Sequence, residues 1–207
     1  LFQLGLHHEQ QHQELMVTDL KYNLGSQAHF PTHIGGPSEN SISKYKGWEI
    51  VPEKNYSIGF DRSGFCYDNE TPLHTQYVHE TQIRRNLVSN SEYLAFMNDG
   101  GYKDHRLWLA DGWHWVQSQD ITAPLYWHRI DGQWQTYLLT GLESVRPEAD
   151  VAHVSYYEAM AYAQWAGHTL PTEFQWEVAS DQLEYGSRWE WTNSAYMPYP
   201  GFKPSED

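Results

Sequence analysis

Cysteine is nearly absent from this chain: Cys66 is the only one in 207 residues. No internal disulfide framework can form, which fits a reducing, cytoplasmic setting. Long apolar runs are also missing, and no stretch approaches the length of a membrane span or follows a signal-peptide pattern. Cations are scarce, with 13 Lys and Arg against 27 Asp and Glu for a net charge of −14. That balance excludes a nucleic-acid partner of the usual kind, because phosphate binding needs a basic face. The acids are scattered rather than blocked, so the charge reads as ordinary solubility and not as an acidic tail.

Aromatic residues are abundant, with 10 Trp and 15 Tyr. Rings of this kind anchor loop-rich folds by burying large areas, and they line pockets for flat or quaternary ammonium ligands. Burial is the commoner fate of any single ring, and Trp189 and Trp191 are expected in the core.

The spacing predicts one helix over residues 2–24, stopped by "NLGS" with Gly25 as its C′ residue. Residues 26–47 are rich in Gly, Pro, Ser and Asn and read as a linker. Apolar and polar residues then alternate in "GWEIVPEKNYSIGFD" and "HTQYVHETQIRRN", as half-buried strands do. "SNSEYLAFMNDGG" reads as a capped helix with Tyr93, Leu94, Phe96 and Met97 inward. A Trp-rich meander is expected over 105–140, with the Asp-Gly of "IDGQW" turning a hairpin. Ser155 and Glu158 form a capping box for a helix that Gly167 ends. Its expected inner face is Ala159, Tyr162, Ala163, Trp165 and Ala166, and a second helix starts near Pro171. Many loops and few long elements indicate an irregular α+β domain. Leu1 falls inside a helical pattern and "GFKPSED" ends on a loop-like run, so both ends are expected to be cut.

The candidate chemistry begins at "LHHEQQHQEL". His8-Glu9-Gln10-Gln11-His12 satisfies H-E-x-x-H, the zinc-protease pattern with Glu9 as base. It also reads as a bare i,i+4 histidine pair. On a helix His8 and His12 lie about 40° apart, one turn up, so both imidazoles reach one ion. Gln11, just before His12, can contact a ligand of that ion, whereas Glu14 is too far round the helix from His8. Two ligands hold a metal weakly, so a further one has to come from elsewhere.

The second half of the chain separates the readings. "HVSYYEAMAYAQWAGHTLPTEFQWEVAS" followed by "RWEWTNSAY" closely resembles the formylglycine-generating-enzyme-like (sulfatase-modifying) domain, a C-type-lectin-related α+β fold. "LGLHHEQQHQELMVTDLKYNL" in turn resembles the last helix of a DinB-like four-helix bundle. Together they resemble the EgtB-type ergothioneine sulfoxide synthases, or hercynine oxygenases. The resemblance implies three parts: a bundle helix over 1–25, a linker over 26–47, and the lectin-like domain over 48–207 without its C-terminal end.

The same resemblance implies a non-haem Fe(II) held by three histidines. Two match His8 and His12, and the third belongs to an earlier helix. Gln11 matches a glutamine on the hercynine side. Three nitrogen ligands leave positions open for a thiolate and O2. The implied reaction joins cysteine or γ-glutamylcysteine to C2 of the hercynine imidazole as a sulfoxide. The catalytic tyrosine is implied to lie past residue 207, so no catalytic residue is assigned, and the segment between Ser180 and Arg188 is shorter than the family's usual one. Rival readings are a sister enzyme making 5-histidylcysteine sulfoxide or using a selenium donor, and a lectin-like binding module without chemistry. A formylglycine-generating enzyme needs paired cysteines late in the domain, where Cys66 does not lie. His7 and Glu14 carry no assignment.

Overall fold

A computed structural model describes residues 2–33, 41–60 and 64–204. Part of the expected linker, residues 34–40, lies outside the described residues. The chain divides into two compact units: Leu1–Ile42 with Val88–Glu158, and Ser43–Leu87 with Ala159–Asp207.

The first unit opens with α1 (Phe2–Gly25), in which Gln, Glu, Leu, Met and Lys favour the helix. α2 (Asn90–Asn98) starts where expected. Ser89 accepts from the Glu92 amide while the Glu92 carboxylate accepts from the Ser89 amide, and Gly100 stops the helix at φ 85°. Tyr93 and Phe96 are fully buried; Leu94 and Met97 are half-buried. Removing a Phe-sized side chain from water is worth about 1.5–3 kcal/mol, so this helix face is a large share of the unit's stability.

The meander expected over 105–140 is only partly present. Residues Ala110–Gln119 form a helix, α3, ended by Asp120 at φ 51°. Gly112 and Val116, one turn apart, are its buried positions, and a Cβ on Gly112 would come within 2.7 Å of Tyr157. The helix period, not strand alternation, satisfies that close packing. The hairpin is as read: β5 (Trp127–Ile130) and β6 (Gln133–Leu138) flank Asp131 at φ 48° and Gly132 at φ 80°. Two positive φ values make this the turn that matches strand twist. β7 (Gly141–Ser144) completes a three-stranded antiparallel sheet in the order β5-β6-β7.

The second unit holds two antiparallel pairs. For β1 (Trp48–Val51) and β2 (Lys54–Ile58), the partners are β4 (Thr81–Arg84) and β3 (His74–Val78) respectively. Val51, Ile58, Val78 and Ile83 meet Ala179 and Leu183 in one core, with Phe174, Trp176 and Val178 packed against it. α4 (Tyr156–Trp165) runs from the first unit into the second; it carries the Ser155–Glu158 box at its start and Gly167, at φ 75°, past its end. Ala163 of its expected face is buried, but so is Ala161, and the other expected positions are half-buried. α5 (Glu173–Ala179) is capped by Thr172 and Gln175.

Trp189 and Trp191 are not core residues: they are 88% and 50% exposed. They sit in an irregular segment outside any helix or strand. Among the described residues no helix is long and apolar enough to cross a membrane.

Candidate metal centre

α1 sets out His8 and His12 as the spacing requires. Their rings meet edge to face with centroids 4.5 Å apart. Both residues and Gln11 are exposed, as are Glu9 and Glu14, while His7 is half-buried. The helix buries only Lys21 and Gly25. Lys21 is nine residues beyond His12, or about 180° round the axis, so the histidine pair looks away from the face that packs on the first unit.

Two imidazole nitrogens on one open helix face suit Fe(II), but equally Zn(II), Cu(II) or Ni(II). Among the described residues no group of three or more His, Cys, Asp or Glu could enclose a metal ion. The donor set therefore fits one side of a mononuclear site, and its completion needs a ligand from outside these residues. A zinc-protease reading gains no third ligand here either.

Two polar groupings in the second unit were not evident from the sequence. Glu177 accepts from the Gly59 amide at 2.7 Å and from the Tyr199 hydroxyl at 3.0 Å. Burial and the neighbouring Glu177 raise the Glu173 carboxyl above its ordinary range, and burial raises the Tyr199 hydroxyl. His74 holds the Pro72 carbonyl at 3.1 Å through Nδ1 and lies 4.6 Å from the Tyr199 ring. Glu173 and Glu177 stand one helical turn apart, which is the only sequence sign of this knot; its partners come from distant segments. The other grouping is a cleft of about 490 Å³ lined by Trp48, Gln82, Gln164, Gly167, His168 and Thr169. The Trp48 and His168 rings in it are 4.9 Å apart.

Residues 38–205 match the sulfatase-modifying factor enzyme 1-like domain, and the chain belongs to that family. Among individual proteins it is 31% identical over 257 residues to a hercynine oxygenase of Mycolicibacterium thermoresistibile, across 98% of this chain and 55% of the relative. To the hercynine oxygenase of Mycobacterium tuberculosis it is 30% identical over 254 residues, across 99% of this chain and 59% of the relative. A formylglycine-generating enzyme of Thermomonospora curvata is 32% identical over 167 residues, across 72% of this chain and 53% of the relative. These relatives are enzymes, and the chain spans little more than half their length. The hercynine oxygenase matches take in α1, which lies before the family domain.

Proposed function

We propose that the chain is part of an Fe(II)- and O2-dependent sulfoxide synthase that joins a cysteine-derived thiol to C2 of hercynine, in ergothioneine biosynthesis. One observation carries this reading: likeness to hercynine oxygenases continues through the helix on which His8 and His12 stand side by side. In this reading α1 is the last helix of a DinB-like bundle and residues 26–47 are a connector. Residues 48–207 are most of the lectin-like domain, and the enzyme works in the cytoplasm.

His8 and His12 would hold the iron through neutral ring nitrogens, with a third ligand from another helix of the whole protein. Bound Fe(II) supplies acidification of the thiol and activation of O2. Gln11 offers an amide donor and acceptor on the same exposed face. It would orient the imidazole of hercynine so that C2 faces the sulfur. The trimethylammonium of hercynine has no N–H to donate, so its recognition falls to aromatic faces and carboxylates.

The test is mass spectrometry of full-length protein incubated with Fe(II) and O2, with hercynine or histidine as acceptor and cysteine, γ-glutamylcysteine or a selenium analogue as donor. A C2–S sulfoxide with one donor supports the proposal. A histidine-derived C5 product, or turnover only with a selenium donor, identifies a sister enzyme. Absence of any C–S or C–Se product, with hercynine still bound, identifies a binding module.

A further inference from the structure

α1 has no single apolar stripe to define which side it packs. Leu4, Leu15 and Tyr22 cluster within about 20° of one another around the axis, and Leu6 and Val17 form a second cluster roughly opposite. All five are exposed. Apolar contact is non-directional, so a helix of this composition could dock in more than one rotational setting.

The side chain that is buried is a lysine's. Lys21 is only 4% exposed, its Nζ is 2.9 Å from Nε2 of His153, and it sits over the Tyr126 ring at 4.9 Å. The Tyr126 and His153 rings stand perpendicular at 4.8 Å. Both residues hold left-handed backbone, φ 72° and 61°, which costs a side-chain-bearing residue energy and persists where surroundings enforce it. A lysine ammonium has donors and no acceptor, so Nε2 of His153 accepts and the ring proton lies on Nδ1. One turn on, Gly25 meets the same wall: a Cβ there would lie 3.0 Å from Tyr126 and 2.7 Å from Tyr137.

We infer that Lys21, received by His153 and Tyr126, fixes the rotation of α1 about its own axis and is thereby a positioning residue for His8 and His12. A slip of one residue turns the helix by about 100° and withdraws the Lys21 nitrogen from both partners. The exposed apolar residues of α1 do not oppose that slip; the directional contact of the buried Lys21 side chain does, together with the close fit of Gly25 against Tyr126 and Tyr137. Because His12 lies on the opposite side of α1, the anchor sets the histidines' direction without touching them. The metal consequence rests on the proposed function; the rotational setting does not.

The experiment uses full-length protein whose native cysteines, Cys66 among them, are replaced by serine. Spin labels at Gln13→Cys and Gln117→Cys, both exposed positions of the first unit, report distance by double electron–electron resonance. With Lys21 intact, one narrow distance is expected. Lys21→Met is expected to broaden or split it, in samples shown to be folded by a cooperative thermal transition. His153→Gly keeps the left-handed backbone, removes the acceptor, and serves if Lys21→Met fails to fold; the same broadening is expected. A narrow, unshifted distance in either variant overturns the inference. In both variants Fe(II) affinity should fall about tenfold or more, as for other groups that orient ligands. If the parent protein binds no Fe(II), the metal reading fails and the distances still decide the anchor.

Discussion

Tyr102 donates its hydroxyl to Oε1 of Glu158 at 2.5 Å, across 56 residues of chain and inside the first unit. The other carboxylate oxygen accepts from the Ser155 amide at 2.7 Å, so one buried glutamate both caps α4 and holds a tyrosine. Tyr93 adds its hydroxyl to Tyr102 at 3.0 Å. Burial raises the Glu158 carboxyl above its ordinary 4.5, with the Tyr102 and Ser155 hydrogen bonds opposing only part of that rise. A folded pKa above the unfolded one means the native state holds the proton longer. The favourable contribution is full below pH 4.5 and is lost as pH climbs through the raised value. Glu158→Gln removes the titration, so its stability relative to the parent should improve steadily from pH 4 to 7. Urea unfolding at stepped pH measures this, and a constant difference would refute it.

Tyr102→Phe leaves Oε1 of Glu158 buried without that donor. The expected loss is about 1–3 kcal/mol, the desolvation cost of an orphaned polar atom, with more lost at pH 7 than at pH 4. Denaturant midpoints with an unchanged m-value would check that the effect is local to the folded state.

Gly25→Ala pits two effects against each other. Alanine favours the helix by up to about 1 kcal/mol over glycine. Its methyl, however, would press on the buried Tyr137 ring at 2.7 Å and on Tyr126 at 3.0 Å. Overpacking of that kind costs about 1–3 kcal/mol, so a net loss is expected, readable as a lower thermal midpoint. A gain would show that the two rings yield freely.

Glu184 pins the segment that follows the undescribed residues 34–40. Its carboxylate accepts from the Ser43 hydroxyl at 2.5 Å and from the Lys44 and Tyr45 amides at 2.6 and 3.2 Å. The Ser43 hydroxyl, ahead of the two amides, lowers its pKa, so this clasp is intact above the ordinary carboxylate value and weakens as pH falls through the lowered one. Glu184→Ala should speed hydrogen exchange at Lys44 and Tyr45 while leaving the amides of the Val51–Ile58 core unaffected.

Local rules made much of this molecule legible. The Ser155–Glu158 box, the Asp131-Gly132 hairpin and the long α1 each follow from a few adjacent residues, and so does the His8–His12 pair. What stayed hidden depends on distant partners. Tyr102 makes Glu158 more than a cap, and Lys21 reads as one more polar helix position until its contacts with His153 and Tyr126 are seen. α3 was obscured because its Trp residues favour strands and its N-cap, Leu109, gives no capping signal. Trp189 and Trp191 depart from the average burial of tryptophan because they fall outside the helices and strands. The candidate site is legible as far as one helix can supply it, and no further.

Glu9 separates the two metal readings of "LHHEQQHQEL". In a zinc protease it is the general base, and Glu9→Gln would abolish turnover. In the proposed synthase it is an exposed helix residue between two ligands, and Glu9→Gln should keep Fe(II) binding and C–S product within about twofold of the parent, as for other surface changes. His12→Ala in full-length protein should instead eliminate near-stoichiometric Fe(II) binding under anaerobic titration, because it removes one of the two nitrogens that α1 offers. Gln11→Ala should leave metal binding intact and raise the concentration of hercynine needed for half-maximal turnover. Metal loss in Glu9→Gln together with retention in His12→Ala would reverse these roles and reject the histidine pair as the ligand set.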